Sequence, residues 1–144
     1  MPTFASPLFL PMTVLAMWTL TVLLLIPIAR FKAGRAGQVT VEDFRFGESG
    51  AVPDATRLPN RNFMNLLEVP VLFYLACLVT VLLGLGDAWM LALAWVYVGL
   101  RIVHSLIHLR LNHGVVPRLA AFALSNLVVS LMWWTLLYRQ LIAA

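Results

Sequence analysis

Residues 88–109, AWMLALAWVYVGLRIVHSLIHL, are the stretch that decides the fold. They match the ~20 apolar residues that an α-helix needs to cross a bilayer, yet three basic side chains stand among them. Arg101, His104 and His108 follow one another at i, i+3 and i+7, so a helix places them on one face. A cation at membrane depth costs at least about 2.5 kcal/mol and is usually paired and functional. We expect this face to carry the function.

Three further apolar blocks accompany this stretch, at residues 8–29, 65–85 and 118–141. The chain of 144 residues is 62% hydrophobic and only 11% charged, whereas soluble domains are roughly 45–50% apolar and about 25% charged. Four blocks of spanning length with no separate soluble core predict one domain, residues 1–144. The fold class we expect is an all-α integral membrane protein built as a four-helix transmembrane bundle.

Basic residues are concentrated in two of the three connections. They are Arg30, Lys32, Arg35, Arg45, Arg57 and Arg61 in the first, and Arg110 and Arg118 in the last. The turn at 84–87, GLGD, has only Asp87, and only Arg139 opposes the pattern. The positive-inside rule then places both termini outside and the two basic connections in the cytoplasm. Short loops favour a bacterial inner membrane, and basic residues at segment ends favour a membrane topology role over nucleic-acid binding.

The connections differ in length and in regularity. The short turn at 84–87 predicts that the second and third spans form an antiparallel hairpin. Residues 31–60 mix charge, Gly and Pro without a clear period, so we expect irregular structure near the lipid headgroups. Cys77 lies inside an apolar block and is expected to be a small buried hydrophobe.

The second span carries a polar face that matches that of the third. Arg61, Asn65 and Glu68 lie at i, i+4 and i+7 and reach about 10 Å below the cytoplasmic surface. Glu68 is the acidic partner that we expect for Arg101. Arg30 at the end of the first span and Arg118 at the start of the fourth reach the same surface. The four helices are therefore predicted to form one net-positive pocket, suited to an anionic ligand beside an apolar wall.

These motifs also carry a family resemblance. Residues 61–68, RNFMNLLE, resemble the R-x-x-x-N-x-x-E signature of the MAPEG family, membrane-associated proteins in eicosanoid and glutathione metabolism. RIVHS at 101–105 resembles the family's R-x-x-H-[ST], and PRLAAF at 117–122 resembles the start of its fourth helix. Arg30 and FGE at 46–48 also fit the pattern. The similarity covers nearly the whole chain.

The resemblance implies a homotrimer that holds glutathione between subunits near the cytoplasmic face. It implies that Arg118 is catalytic and stabilises the glutathione thiolate, which attacks a hydrophobic substrate in a transferase or peroxidase reaction. The residues expected to bind the co-substrate or brace its site are Arg30, Arg61, Asn65, Glu68, Arg101, His104 and His108. His108 and Leu119 replace a tyrosine and a serine of the prostaglandin-synthesising members, so prostaglandin synthesis is not expected.

Other functions remain open at this point. A non-catalytic structural or anionic-lipid-binding membrane protein would use the same arginines, since lipid headgroups are also anions. Glu68 and Arg101 could form only a structural ion pair. A small multidrug exporter also has four helices and an intramembrane glutamate, but a cationic pocket disfavours cationic drugs. Two histidines at i+4 without a third ligand are a weak metal signal, so no metal is expected.

Overall fold

The computed structural model describes residues 6–110 and 115–143, and this part of the chain contains helices and no strands. The helices are α1 (Phe9–Arg35), α2 (Asp54–Leu67), α3 (Pro70–Leu82), α4 (Ala88–Arg110) and α5 (Val115–Ala143), with a short 3₁₀ turn at Val41–Phe44. Four spans are long and apolar enough to cross a membrane: Phe9–Arg35, Asp54–Leu82, Ala88–Arg110 and Val115–Ala143. The predicted all-α, four-span membrane fold is confirmed.

Successive spans run in opposite directions around a narrow core. The Leu8 side chain approaches Gly86 at the turn between α3 and α4, which we call the hairpin end. The opposite side, with residues 36–53, is the loop end. Between them the rings of Phe73 and Tyr97 stack with their centroids 4.6 Å apart. Cys77 is fully buried beside them, as expected from its apolar surroundings.

The second span is broken between α2 and α3. Pro70 has no N–H to donate to the preceding turn, and its ring clashes with the carbonyl of residue i−4, so a helix cannot pass through it unchanged. Glu68 ends α2 with ψ −93°, and α3 begins at Pro70 itself. At 1.5 Å per residue, Asp54–Leu82 would span about 43 Å if straight, more than the ~30 Å of a hydrocarbon core. The polar first turns of α2 therefore extend past the hydrocarbon at the loop end.

The prediction of irregular structure over 31–60 was wrong at both ends. α1 continues to Arg35 and α2 already begins at Asp54, because basic side chains at the end of a helix and acidic ones in its first turn favour the helix dipole. The remaining loop is ordered around Asp43, whose carboxylate accepts from Thr40 N at 2.8 Å and from Ser49 Oγ at 2.8 Å. Hydrogen bonds from Thr40 and Ser49 lower the pKa of this carboxyl.

The hairpin end is closed by an ion pair that the sequence did not reveal. Arg139 Nη2 lies 2.5 Å from Asp87 Oδ2, and its Nη1 donates to the Leu85 carbonyl at 3.1 Å. Asp87 also accepts from the Met90 N–H at 3.0 Å, as an N-terminal cap of α4. Arg139 is thus neutralised by its neighbour, which explains why it stands apart from the charge distribution of the other basic residues.

Candidate functional site

Two adjoining compartments open near the loop end of the bundle, between α2, α4 and α5. The larger, of about 360 Å³, is lined mainly by polar groups, among them Arg61 and Glu68. The smaller, of about 230 Å³, adds the apolar side chains of α5 and the ring of His104. Asn65, His108 and Arg118 line both and form the wall between them. The structure thus places six of the eight predicted site residues together.

Arg101 lies behind this pocket and is fully buried. Its Nη2 donates to the backbone carbonyl of Asn65, and its guanidinium carbon lies 5.7 Å from the centre of the Phe122 ring. The carbonyl of Asn65 would accept from the N–H of Val69 in an unbroken helix. Because the helix breaks before Pro70, that carbonyl is free to accept from Arg101. The bond joins α4 to the end of α2.

The expected ion pair between Glu68 and Arg101 is absent from the described chain. The ion pairs within residues 6–110 and 115–143 do not include either residue. The reason is the helix break: Glu68 ends α2 and its side chain is exposed, so it does not follow the inward face on which Asn65 lies. Glu68 instead contributes its charge to the mouth of the larger compartment.

His104 fixes the first turns of α5. Its Nδ1 lies 3.0 Å from the Arg118 carbonyl, so this nitrogen donates, and Nε2 has no hydrogen-bond partner among the described residues. This bond joins α4 to α5 at Arg118, the residue to which the family resemblance assigns the catalytic role. His108, one turn further along α4, is buried, and among the described residues its Nδ1 has no hydrogen-bond partner.

Arg30 does not join the other predicted residues within this chain. Its Nη2 lies 3.2 Å from Glu48 Oε1, and its guanidinium carbon lies 4.6 Å from the centre of the Phe44 ring. These contacts place Arg30 at a separate apolar groove of about 610 Å³ between α1 and the loop. The predicted single pocket shared by all four spans is therefore formed here by three of them, since α1 contributes none of its lining residues.

A buried polar junction behind the site was not identified from the sequence. Ser105 Oγ accepts from Trp18 Nε1 at 2.9 Å and from Asn62 Nδ2 at 2.6 Å, which joins α1, α2 and α4. Asn62 and Ser105 are both fully buried. Asn62 is turned about 100° around α2 from the exposed Arg61 side chain and is buried, so a search confined to the charged face passes over it. The sequence did contain a sign of this junction: an asparagine in one span and a serine in another can hydrogen-bond across the helices.

Charge and donor type describe what this site can bind. Two guanidinium groups, Arg61 and Arg118, face one carboxylate, Glu68, so the larger compartment favours a ligand with more acidic than basic groups. No group of three or more His, Cys, Asp or Glu side chains within the described residues is placed to hold a metal ion. The larger compartment is therefore suited to an anionic organic molecule.

Comparison with known proteins agrees with the resemblance seen in the motifs. Comparison with the curated proteins and with the solved structures finds no match. Comparison with protein families matches residues 8–138 to the MAPEG family, a range that includes the first three spans, most of the fourth and both compartments. A match of this extent, on a four-span helical membrane fold, shows that the chain belongs to the MAPEG family.

Proposed function

We propose that this protein is a glutathione-dependent transferase or peroxidase that acts on hydrophobic electrophiles or peroxides at the membrane. The observation that carries the proposal is the position of Arg118 on the wall between a polar and a more apolar compartment. A thiol peptide in the first and a hydrophobic molecule in the second would meet at its guanidinium. Glutathione use is common in the family, and glutathione is the co-substrate that we propose here.

The charges of the larger compartment complement those of glutathione. The tripeptide has two carboxylates and one ammonium group, and the compartment offers Arg61 for a carboxylate and Glu68 for the ammonium. Asn65 supplies an amide on the same wall. A volume of about 360 Å³ falls within the ~300–1,000 Å³ of small-molecule sites. The polar residues therefore suit a zwitterionic, net-acidic peptide better than a neutral lipid.

Arg118 is proposed as the catalytic residue because a thiol reacts as its thiolate. A free thiol has a pKa of about 8.5, and a neighbouring permanent cation lowers it toward neutrality. The thiolate then attacks the electrophile, or a peroxide oxygen, from the polar side of the wall. Arg101 and His104 brace this arrangement through the carbonyls of Asn65 and Arg118.

Assembly into a homotrimer is part of the proposal. Arg61 and Glu68 are exposed along one side of the larger compartment, so a neighbouring subunit that packs there would close it. Arg30 is proposed to reach the co-substrate of a neighbouring subunit, since it lies apart from the pocket of its own. Cross-linking in detergent tests this: trimers are expected, and a monomer that binds glutathione fully would contradict it.

The orientation is proposed from the charge distribution. Both termini are external and the pocket faces the cytoplasm, in a bacterial inner membrane, because the basic residues lie at the loop end. Arg139 is paired with Asp87 and adds little net charge to the hairpin end. A reporter inserted at Gly50 should read as cytoplasmic and one at Asp87 as external. The opposite pattern would place the pocket on the outer side.

Calorimetric titration of glutathione into the detergent-purified protein tests the function. Wild-type protein should bind glutathione at least about tenfold more tightly than succinate, a simple dicarboxylate, which corresponds to about 1.4 kcal/mol. Arg61→Ala should lose most of that preference, whereas Arg45→Ala, an arginine remote from the pocket that pairs with Glu42, should retain it. Equal binding of both ligands would reject the enzymatic function and favour an anionic-lipid-binding protein. In that case the protein should bind to vesicles that contain phosphatidylserine.

A further inference from the structure

We propose that His108 is the catalytic base that accepts the thiol proton, with Arg118 as the cation that holds the resulting thiolate. This inference rests on the proposed function and assigns a second role at the same wall. His108 and Arg118 line both compartments, so a sulfur atom placed between the compartments touches both side chains. A permanent guanidinium cannot take up a proton, and the proton therefore needs another acceptor.

His108 has the properties of such an acceptor. The residue is buried, and among the described residues its Nδ1 makes no hydrogen bond. Imidazole changes its charge near neutral pH, where a thiol must be ionised. This Nδ1 is itself enclosed, so the ring nitrogen that a ligand in either compartment can reach is Nε2, which makes no hydrogen bond to the described residues and is available as the proton acceptor.

The other candidates near the wall are committed elsewhere or have the wrong chemistry. His104 has its Nδ1 engaged with the Arg118 carbonyl; its Nε2 is also unpaired, but this ring lines only the smaller compartment, away from the polar one that would hold the thiol peptide. Glu68 is exposed at the mouth of the larger compartment and is proposed to hold the ammonium group. The charged and titratable groups that face His108 are Arg61 and Glu68 from α2, His104 from α4 and Arg118 from α5.

The step balances in protons and electrons. The S–H bond of glutathione breaks, its electron pair stays on sulfur, and the proton passes to a ring nitrogen of His108. The thiolate, held by Arg118, then forms a bond to an electrophilic carbon, and the leaving group departs with the electron pair of its old bond. For an aryl chloride the products are the thioether and chloride, and the proton on His108 passes to water in the larger compartment.

A proton count on the trimeric protein in detergent tests the assignment without turnover. Glutathione is added in weak buffer near pH 7, the thiolate is followed by its ultraviolet absorbance, and released protons are followed with an indicator dye. Wild-type protein should form thiolate with much less than one proton released for each thiolate, because His108 retains the proton. His108→Asn should form less thiolate and release about one proton for each thiolate formed.

Turnover with 1-chloro-2,4-dinitrobenzene adds the kinetic arm. A general base contributes roughly 10²–10⁴-fold to the rate, so His108→Asn should lower kcat by about 10²-fold near pH 7. The kcat of this variant should recover as pH rises, because hydroxide then takes the proton. His104→Asn is the matched control on the same helix face. His104→Asn should lower kcat by a factor that does not change with pH, because His104 positions Arg118 and does not accept the proton.

Each outcome separates this inference from the function on which it rests. One proton released for each thiolate by the wild-type protein, or a pH profile unchanged in His108→Asn, would overturn the role of His108 while leaving the glutathione site intact. A pH profile altered only in His104→Asn would move the base to that residue. Absence of glutathione binding and thiolate in the wild-type protein would instead reject the proposed function. His108→Gln is the second variant if the asparagine form does not fold.

Discussion

Removing the Ser105 hydroxyl is expected to destabilise the bundle more than any other single-atom change at the site. In Ser105→Ala the Trp18 indole N–H and the Asn62 amide lose their common acceptor, at 2.9 and 2.6 Å. A buried donor left without a partner costs about 1–3 kcal/mol. Hydrogen bonds within membranes average nearer 0.6 kcal/mol because the unfolded state finds other partners. Asn62 Nδ2 keeps only the Ser105 backbone carbonyl, at 3.5 Å, so the combined loss for the two donors should be about 1–3 kcal/mol.

Unfolding in mixed micelles, followed by far-ultraviolet circular dichroism against the fraction of denaturing detergent, measures this loss. Ser125→Ala is the matched control: Ser125 is equally buried, but its hydroxyl donates to Phe122 within its own helix, at 2.8 Å. The control should cost less than about 1 kcal/mol.

A double-mutant cycle then tests the cause. Asn62→Leu combined with Ser105→Ala should recover about 1 kcal/mol of the summed losses, because Asn62→Leu removes a donor that Ser105→Ala leaves unpaired. Losses that add to within about 0.5 kcal/mol would show that the two side chains do not depend on each other. Equal losses for Ser105→Ala and Ser125→Ala would refute the junction between three helices altogether.

Three further predictions concern other parts of the protein. Hydrogen bonds from the Met90 N–H and Arg139 lower the pKa of Asp87 below its ordinary 3.8. The stability that the Asp87–Arg139 pair adds should be complete above pH 3.8 and be lost as pH falls through the lower folded pKa. Thermal unfolding of wild type against Asp87→Asn measures this loss. Arg118→Ala should raise the pKa of bound glutathione, seen as loss of thiolate absorbance near pH 7, and should slow turnover more than it weakens binding. Cys77 should resist N-ethylmaleimide in the folded protein and react after unfolding, since it is fully buried.

The sequence was informative wherever one residue type dominates the energy. Apolar runs of spanning length predicted the four spans, because water-to-hydrocarbon transfer outweighs other local preferences over ~20 residues. The helical period predicted that Arg61 and Asn65 share one face of the second span, and both line the larger compartment. The ends of the first connection were missed, because α2 begins in a polar segment, from Asp54, that has no apolar run to mark it.

Partners inside the site were harder to predict, because they depend on backbone groups and on the exact course of the chain. Arg101 was expected to pair with a carboxylate, yet it binds the Asn65 carbonyl. A sequence does not show which carbonyls a helix break leaves open. Arg139 could not be matched to Asp87 either, since the two are far apart in the chain and meet only when the last helix returns to the hairpin end.

The break in the second span lets Pro70 influence the polar face at a distance. A residue with an N–H at position 70 would allow α2 to continue, and the Val69 N–H would then compete with Arg101 for the Asn65 carbonyl. The buried guanidinium would lose that competition whenever the helix straightened, since its one hydrogen bond within the described chain goes to this oxygen. The helix break at Pro70 thus leaves an acceptor open for a cation 31 residues further along the chain.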